Sequence, residues 1–270
     1  MVEGRQLHDE AKAFRERGVV CLRGVFTDWV DVLRAGVERN LREPGRYFRR
    51  YTPEGGSGQF VGDYCNWQRI PEYRDFVEHS PAAQVAATLM GSRSARIFHE
   101  HVLVKEPSTS EPTPWHHDQP YYSVDGEQNC SLWMPLDPVA RDVCVEFVAG
   151  SHRWGRWFVP TRFTGQDYAR DEDGLETVPD IDSHRADYDL VGFDLEPGDA
   201  VAFHFLTVHG APANTSPTRR RRAFASRWLG DDATWAVRQG IMSPPFPEAH
   251  ARLSPGDTLD DPEFPVIWQA

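Results

Sequence analysis

The tetrapeptide Trp115-His116-His117-Asp118 brings two imidazoles and a carboxylate together just after a proline-rich stretch containing Pro107, Pro112 and Pro114. On an extended backbone, side chains two apart share a face, so His116 and Asp118 point together while His117 points away. One more imidazole would complete a two-histidine, one-carboxylate facial set, which leaves coordination positions open on a non-heme Fe(II). His209 is the candidate, because it closes the apolar run Phe203-His204-Phe205-Leu206-Thr207-Val208 and precedes Gly210. A lone histidine in an apolar strand is more often a packed core residue than a ligand, and spacing alone leaves both readings open.

The surrounding elements can be read from periodicity. Leu7, Ala11 and Phe14 fall on one helical face, and Gly18 stops that segment before the strand-like run Val19-Val20-Cys21-Leu22. Thr27 and Asp28 are placed to cap a second helix carrying Val30, Leu33, Val37 and Leu41, and Ser80-Pro81 opens a third that ends at Gly91. Beyond Gly91 come short β-branched or aromatic runs at 95–105, 129–136, 143–148, 190–193, 200–205 and 222–229, separated by Pro, Gly and Asp. Helices in front and many short strands behind predict a mainly β (α+β) fold, an antiparallel barrel or jelly roll with helices packed outside.

No repeat or linker interrupts the chain, so residues 1–270 read as a single domain. It would comprise a helix-rich part (1–91), a β core (92–230) and a C-terminal extension (231–270). The stretches 54–64 and 164–185 read as surface loops, either of which could be a lid.

Composition narrows the function classes. With 270 residues, 40% of them hydrophobic, the chain can bury one substantial core. A formal net charge of -12 argues against a protein whose main partner is nucleic acid, since that role runs on excess Lys and Arg. Cys21, Cys65, Cys130 and Cys144 are scattered without a metal or disulfide framework, and no apolar run reaches the roughly 20 residues of a membrane span. The expected address is the cytoplasm, with no membrane partner; the oligomeric state is left open.

Four motifs in order carry a resemblance to a known family: Trp115-His116-His117-Asp118-Gln119-Pro120-Tyr121-Tyr122, Trp133-Met134-Pro135-Leu136-Asp137, Val148-Ala149-Gly150-Ser151-His152-Arg153 and His209-Gly210-Ala211-Pro212-Ala213-Asn214-Thr215-Ser216-Pro217. Over roughly residues 95 to 230 the chain resembles the phytanoyl-CoA dioxygenase family of Fe(II)/2-oxoglutarate-dependent oxygenases. The resemblance implies a double-stranded β-helix of the jelly-roll, cupin-like kind, with His116, Asp118 and His209 on Fe(II) and with 2-oxoglutarate and O2 as co-substrates. It also implies an arginine eleven residues after the distal histidine, which pairs with the distal carboxylate of 2-oxoglutarate; the count lands on Arg220.

Arg219, Arg220, Arg221 and Arg222 form a run, and alternation sends Arg220 and Arg222 to one face, which makes Arg222 the second choice. The resemblance places His101 near the co-substrate. Alternation groups His101 with His99, Leu103 and Lys105, and puts Trp133, with Ser131 two before it, on the inner face of the next strand. His101 and Trp133 could equally be core packing. Relatives often have Pro at the position of Ala149 and Ser at that of Ala211, so a turn and one hydroxyl contact differ here.

The implied activity is hydroxylation of a small-molecule metabolite with release of succinate and CO2. Family halogenases carry a small residue at the position of Asp118, so the carboxylate favours oxidation over chlorination. Tyr121, Tyr122, Tyr64, Asn66, Trp67, Arg227 and Trp228 are candidate substrate-pocket residues. Two other classes stand beside this one: a barrel-fold binding or sensor protein without turnover, and a metal-dependent hydrolase or cupin-type isomerase in which the metal only activates water.

Overall fold

Residues 4–159, 174–240 and 242–270 are described in the computed structural model, with side chains from Leu7 onward. An eight-stranded antiparallel sheet dominates. Its order is β1 (Val19–Leu22), β10 (Ala200–Phe203), β7 (Asn129–Pro135), β12 (Arg221–Leu229), β4 (Ser94–Lys105), β3 (Phe60–Tyr64) and β2 (Arg49–Arg50), with β14 (Val266–Gln269) also pairing with β4. A second sheet runs β5 (Thr113–His116), β11 (His209–Ala211), β8 (Glu146–Val148) and β9 (Leu190–Val191). Along the chain the core strands pass back and forth between these sheets, which is the double-stranded β-helix. The two sheets face each other without closing into a continuous barrel.

Two apolar layers follow from the period-2 alternation of the strands. Trp133, Val145, Phe147, Val201, Phe203 and Ala223 fill the space between the sheets. The outer face of the large sheet packs under helices α1 (Gly4–Arg17), α2 (Val30–Arg42), α3 (Pro71–His79) and α4 (Ala82–Met90). There Phe224 lies 4.8 Å from Tyr73 and 5.4 Å from Phe76, ring centre to ring centre. Residues beyond 231 fold back on the core: Trp235, Phe246, Leu259 and Phe264 pack with Phe98 and Tyr122.

Several expectations change. Thr27 and Asp28 do not cap α2 by a side-chain bond; residues Thr27–Trp29 form a 3-10 turn that runs into it, and Thr27 Oγ1 donates back to Gly24 O at 3.0 Å. Helix α3 is an additional element, started by Pro71 in its first turn and burying Tyr73, Phe76 and Val77 at helical spacing. The last five residues of the stretch 54–64 are strand β3, not loop, because they pair with β4. Of the stretch 164–185, residues 164–173 lie outside the described residues, while Glu176 exchanges backbone hydrogen bonds with Trp157 and Val159. All four cysteines are free, and no helix among the described residues is long and apolar enough to cross a membrane.

Two local devices hold the strands near the site. Gly18, at φ +72°, ends α1 where a Cβ would stand 2.3 Å from His152 Nδ1, and its carbonyl accepts from His204 N and Thr207 Oγ1. On β4, the fully buried Glu100 accepts from Asn66 N at 2.7 Å and Trp67 N at 3.0 Å, pinning the chain after β3. Burial pushes its carboxyl up to about 8. Glu100→Ala leaves two buried amides without acceptors and is expected to cost about 2 kcal/mol or more in chemical denaturation; a loss below about 0.5 kcal/mol would mean that water replaces the carboxylate.

Candidate active site

Strand pairing sets the first two site residues opposite each other, since His209 on β11 is the direct partner of His116 at the end of β5. Asp118 follows in a right-handed turn (φ −81°, ψ −38°), fixed by its N–H donating to Phe205 O at 2.8 Å. His116 and Asp118 therefore converge although the backbone is no longer extended at Asp118. Asp118 Oδ1 lies 3.6 Å from His116 Nε2 and 4.0 Å from His209 Nε2, and one donor atom from each residue falls within 4.8 Å of the others.

Both imidazoles are oriented from behind. His116 Nδ1 is 2.7 Å from Pro114 O and His209 Nδ1 is 2.9 Å from Thr207 O, so each Nδ1 carries the proton and each Nε2 offers its lone pair to the cluster. Asp118 Oδ2 is buried with no hydrogen-bond partner among the described residues; its nearest cation is Arg227, whose Nε is 3.7 Å away. Tyr121 donates its hydroxyl to Oδ1 in a short bond. Two neutral imidazoles and an under-coordinated carboxylate fit Fe(II), the donor set seen in facial-triad oxygenases.

His117 turns away from the cluster. Its Nε2 accepts from Phe158 N at 2.9 Å, and its ring packs 4.9 Å from that of Phe158. His117→Ala is expected to leave iron affinity within about threefold, read by chelator competition; a loss as complete as that of His116→Ala would overturn the orientation.

Burial lowers the imidazole of His116 and takes that of His209 down to about 3. For Asp118, burial works to raise the carboxyl, and the Arg227 guanidinium foremost, with the two histidines and the Tyr121 bond, outweighs it and holds the group below the usual range. All three groups are thus in their metal-binding protonation state at neutral pH. The sign is clear for a base whose folded value is depressed: protons compete with iron only below the ordinary imidazole range. Iron affinity is expected to persist on acidification to about pH 5, measured by chelator competition; loss already at pH 6.5 would contradict it.

The cluster opens into a cavity of about 480 Å³. Of the residues singled out from sequence, Tyr64, His101, Tyr121, Tyr122, Trp133 and Arg227 line it with the triad. Ser131 is buried on the same strand as Trp133 but is not part of the wall. Asn66 and Trp67 are not in it either, because Asn66 is tied to Tyr64 O and Arg69 and Trp67 joins the core under the helices. Trp228 also belongs to that core, its Nε1 donating to Ser226 Oγ.

Arg220 faces outward and is no part of the wall: it pairs with Glu38 and Glu106, each at 2.7 Å. Arg222 shares that face, held by Asp137 and Glu38. The arginine of the run that turns inward is Arg221, beside Lys105, its cross-strand partner. Both donate to the carbonyl of Pro212, at 3.2 Å and 3.1 Å, and neither forms an ion pair among the described residues. Burial brings Arg221 down to about 10, and burial together with Arg221 brings Lys105 down to about 6. Lys105 falls on the inward face that alternation predicts for β4; Met242, Pro244 and Pro245, also in the wall, carry no signal in the sequence.

A double-stranded β-helix holding a His–Asp–His facial cluster defines the class of non-heme iron, 2-oxoglutarate-dependent oxygenases. The model of the phytanoyl-CoA dioxygenase family matches residues 14–223, and the chain belongs to that family. A probable phytanoyl-CoA dioxygenase from Caenorhabditis elegans is 23% identical over 170 residues, 60% of this chain; the chain spans about half the length (52%) of that relative. Among solved structures, the non-heme alpha ketoglutarate dependent carbocyclase SnoK from nogalamycin biosynthesis is 26% identical with a TM-score of 0.73, covering 96% of each chain. The epimerase SnoN, in complex with Fe3+, alpha ketoglutarate and nogalamycin RO, is 23% identical with a TM-score of 0.77, covering 98% of this chain and all of that one. Iron and 2-oxoglutarate are the cofactor and co-substrate of the class.

Proposed function

We propose that this chain, as one catalytic domain at a cytoplasmic address, hydroxylates a small-molecule metabolite, consuming 2-oxoglutarate and O2 and releasing succinate and CO2. The observation that carries this reading is the pairing, in one cavity, of the His116–Asp118–His209 cluster with the buried basic side chains Lys105 and Arg221, which form no ion pair among the described residues. A guanidinium offers a planar fork to a carboxylate, and Lys105, whose protonation is disfavoured by burial and the neighbouring guanidinium, can take up a proton when an anion arrives beside it. Arg221, assisted by Lys105, would take the distal carboxylate of 2-oxoglutarate, the role that the family resemblance, counted along the chain, gives to Arg220. His101 and Trp133 would wall the same pocket.

Iron and 2-oxoglutarate, once bound, supply the oxidising power by oxidative decarboxylation of the keto acid with O2. The protein's own residues do the positioning. His116 and His209 keep their Nδ1 protons on backbone carbonyls, and Tyr121 fixes one carboxylate oxygen of Asp118. A hydrolase or isomerase that only activates water would have no use for the Lys105–Arg221 pair.

Anaerobic titration of the Fe(II)-loaded protein with 2-oxoglutarate tests the co-substrate directly. A weak visible charge-transfer band from a chelating keto acid is the expected result, and its absence in folded, iron-loaded protein would favour the binding-protein or hydrolase classes. The similarity to SnoK, a carbocyclase, favours a second reading in which the substrate is oxidised without gaining oxygen. Turnover under 18O2 separates the two: hydroxylation puts one labelled atom in the product, ring closure none.

A further inference from the structure

The charges of the cavity wall are lopsided in a chain whose net charge is -12. Arg49, Arg50, Arg221 and Arg227 line it together with the basic Lys105, against Asp118 as its one carboxylate among the described residues. Iron(II) and 2-oxoglutarate bring equal and opposite charges, so loading them does not remove the excess. Arg227 stands by Asp118, and the Lys105–Arg221 pair suits the distal carboxylate of the keto acid. Arg49 and Arg50 remain.

Both are exposed residues of β2 at the opening of the cavity, and neither forms an ion pair among the described residues. Two other arginines nearby are matched, the exposed Arg46 by Glu248 and the half-buried Arg220 by Glu38 and Glu106. Next to these two open cations the wall is aromatic. Tyr47 and Tyr64 stack face to face, 4.9 Å apart at 8°, and Tyr51 leans on Phe60 at 4.6 Å. Gly62, between Phe60 and Tyr64 on β3, keeps this wall hollow, since a Cβ there would come within 2.9 Å of His101 Nε2 and 2.8 Å of the Tyr51 hydroxyl.

We propose that the primary substrate is a small organic anion with a flat apolar body. Its acid group is held by Arg49 and Arg50 at the mouth, and its body lies along Tyr47, Tyr51 and Tyr64 toward the triad. Such a wall offers ring faces for stacking, and the cations at the mouth draw an anion into a low-dielectric cleft, where the field is focused. This rests on the oxygenase reading only in that the reacting carbon must reach the His–Asp–His cluster.

The test uses an isosteric pair of probes, naphthalene-2-sulfonate and the neutral naphthalene-2-sulfonamide. They are titrated calorimetrically into the whole 270-residue chain, first metal-free and then loaded anaerobically with Fe(II) and 2-oxoglutarate. The keto-acid band, read before any probe is added, reports on the oxygenase reading separately.

The anion is expected to bind about tenfold more tightly than the amide at low ionic strength, and the difference should shrink with added salt. The double variant Arg49→Ser/Arg50→Ser should lose that preference, and Arg49→Lys/Arg50→Lys should keep most of it, with the keto-acid band unchanged in both. Equal affinity for the two probes, or a preference that survives the double Ser change, overturns the proposal even where the band forms. Should the band fail to form, the oxygenase reading falls, and the metal-free titration still decides the anion preference.

Discussion

Arg221→Ala is expected to raise the 2-oxoglutarate concentration for half-maximal turnover by about a hundredfold, whereas Arg220→Ala should leave it within about threefold. The contrast follows from strand faces. On β12 the inward positions are Arg221, Ala223, Ala225 and Arg227, and the outward ones include Arg222, Phe224 and Trp228. A one-residue slip would bring Arg220 inside, where the family resemblance puts it, but it would also drive Phe224 and Trp228 out of the helix-covered core into the cavity. Both are fully buried among Tyr73, Phe76 and their neighbours, so the register is fixed by far more apolar area than one ion pair is worth. Arg221→Lys keeps the charge but loses the fork, and it should fall between wild type and Ala. Initial-rate kinetics on the three variants decide the matter: a large effect at Arg220 with none at Arg221 would refute the inward assignment.

How far the sequence could be read depended on whether a local pattern recorded the tertiary constraint. The long strands β4, β7 and β12 carry alternation, interrupted in β4 where the pairing skips Phe98, and all three lie where the runs 95–105, 129–136 and 222–229 predict. His116, Asp118 and His209 are legible because the motifs around them resemble a known family; strand pairing sets His209 opposite His116, but spacing alone leaves the distal histidine open. The arginine run is not legible. Four identical side chains in a row have no period, and the choice between faces is made by Phe224 and Trp228, several residues away. Asn66 and Trp67 illustrate a different failure: aromatic and amide side chains beside a glycine-rich stretch suit a pocket, but Glu100 draws their backbone amides back to the sheet. Met242, Pro244 and Pro245 reach the cavity only because Phe246 is anchored against Phe98 and Phe264, contacts made across more than a hundred residues in the first case.

His209→Ala should abolish iron-dependent turnover, by at least about a thousandfold, and so should Asp118→Ala, because two remaining donors cannot hold Fe(II) against water and chelators. The two variants are expected to differ in stability. Removing His209 deletes a neutral ring packed 4.7 Å from Phe203 and leaves Thr207 O to water, so a cost of about 1–2 kcal/mol is anticipated. Removing Asp118 strips the buried Arg227 of its nearby carboxylate, although the Tyr122 hydroxyl still accepts from it. An uncompensated buried guanidinium costs more, about 3 kcal/mol or above, and the apo variant should melt well below apo His209→Ala. Asp118→Asn separates the electrostatic part from the steric one, since it keeps the shape and the Tyr121 contact but not the charge. If Asp118→Ala were as stable as the parent, Arg227 would have to be satisfied by solvent in the open cavity, and its closeness to Asp118 would contribute little to the fold. If turnover survived in either Ala variant to within about tenfold, the cluster would not be the iron site, and the buried imidazoles would revert to core packing.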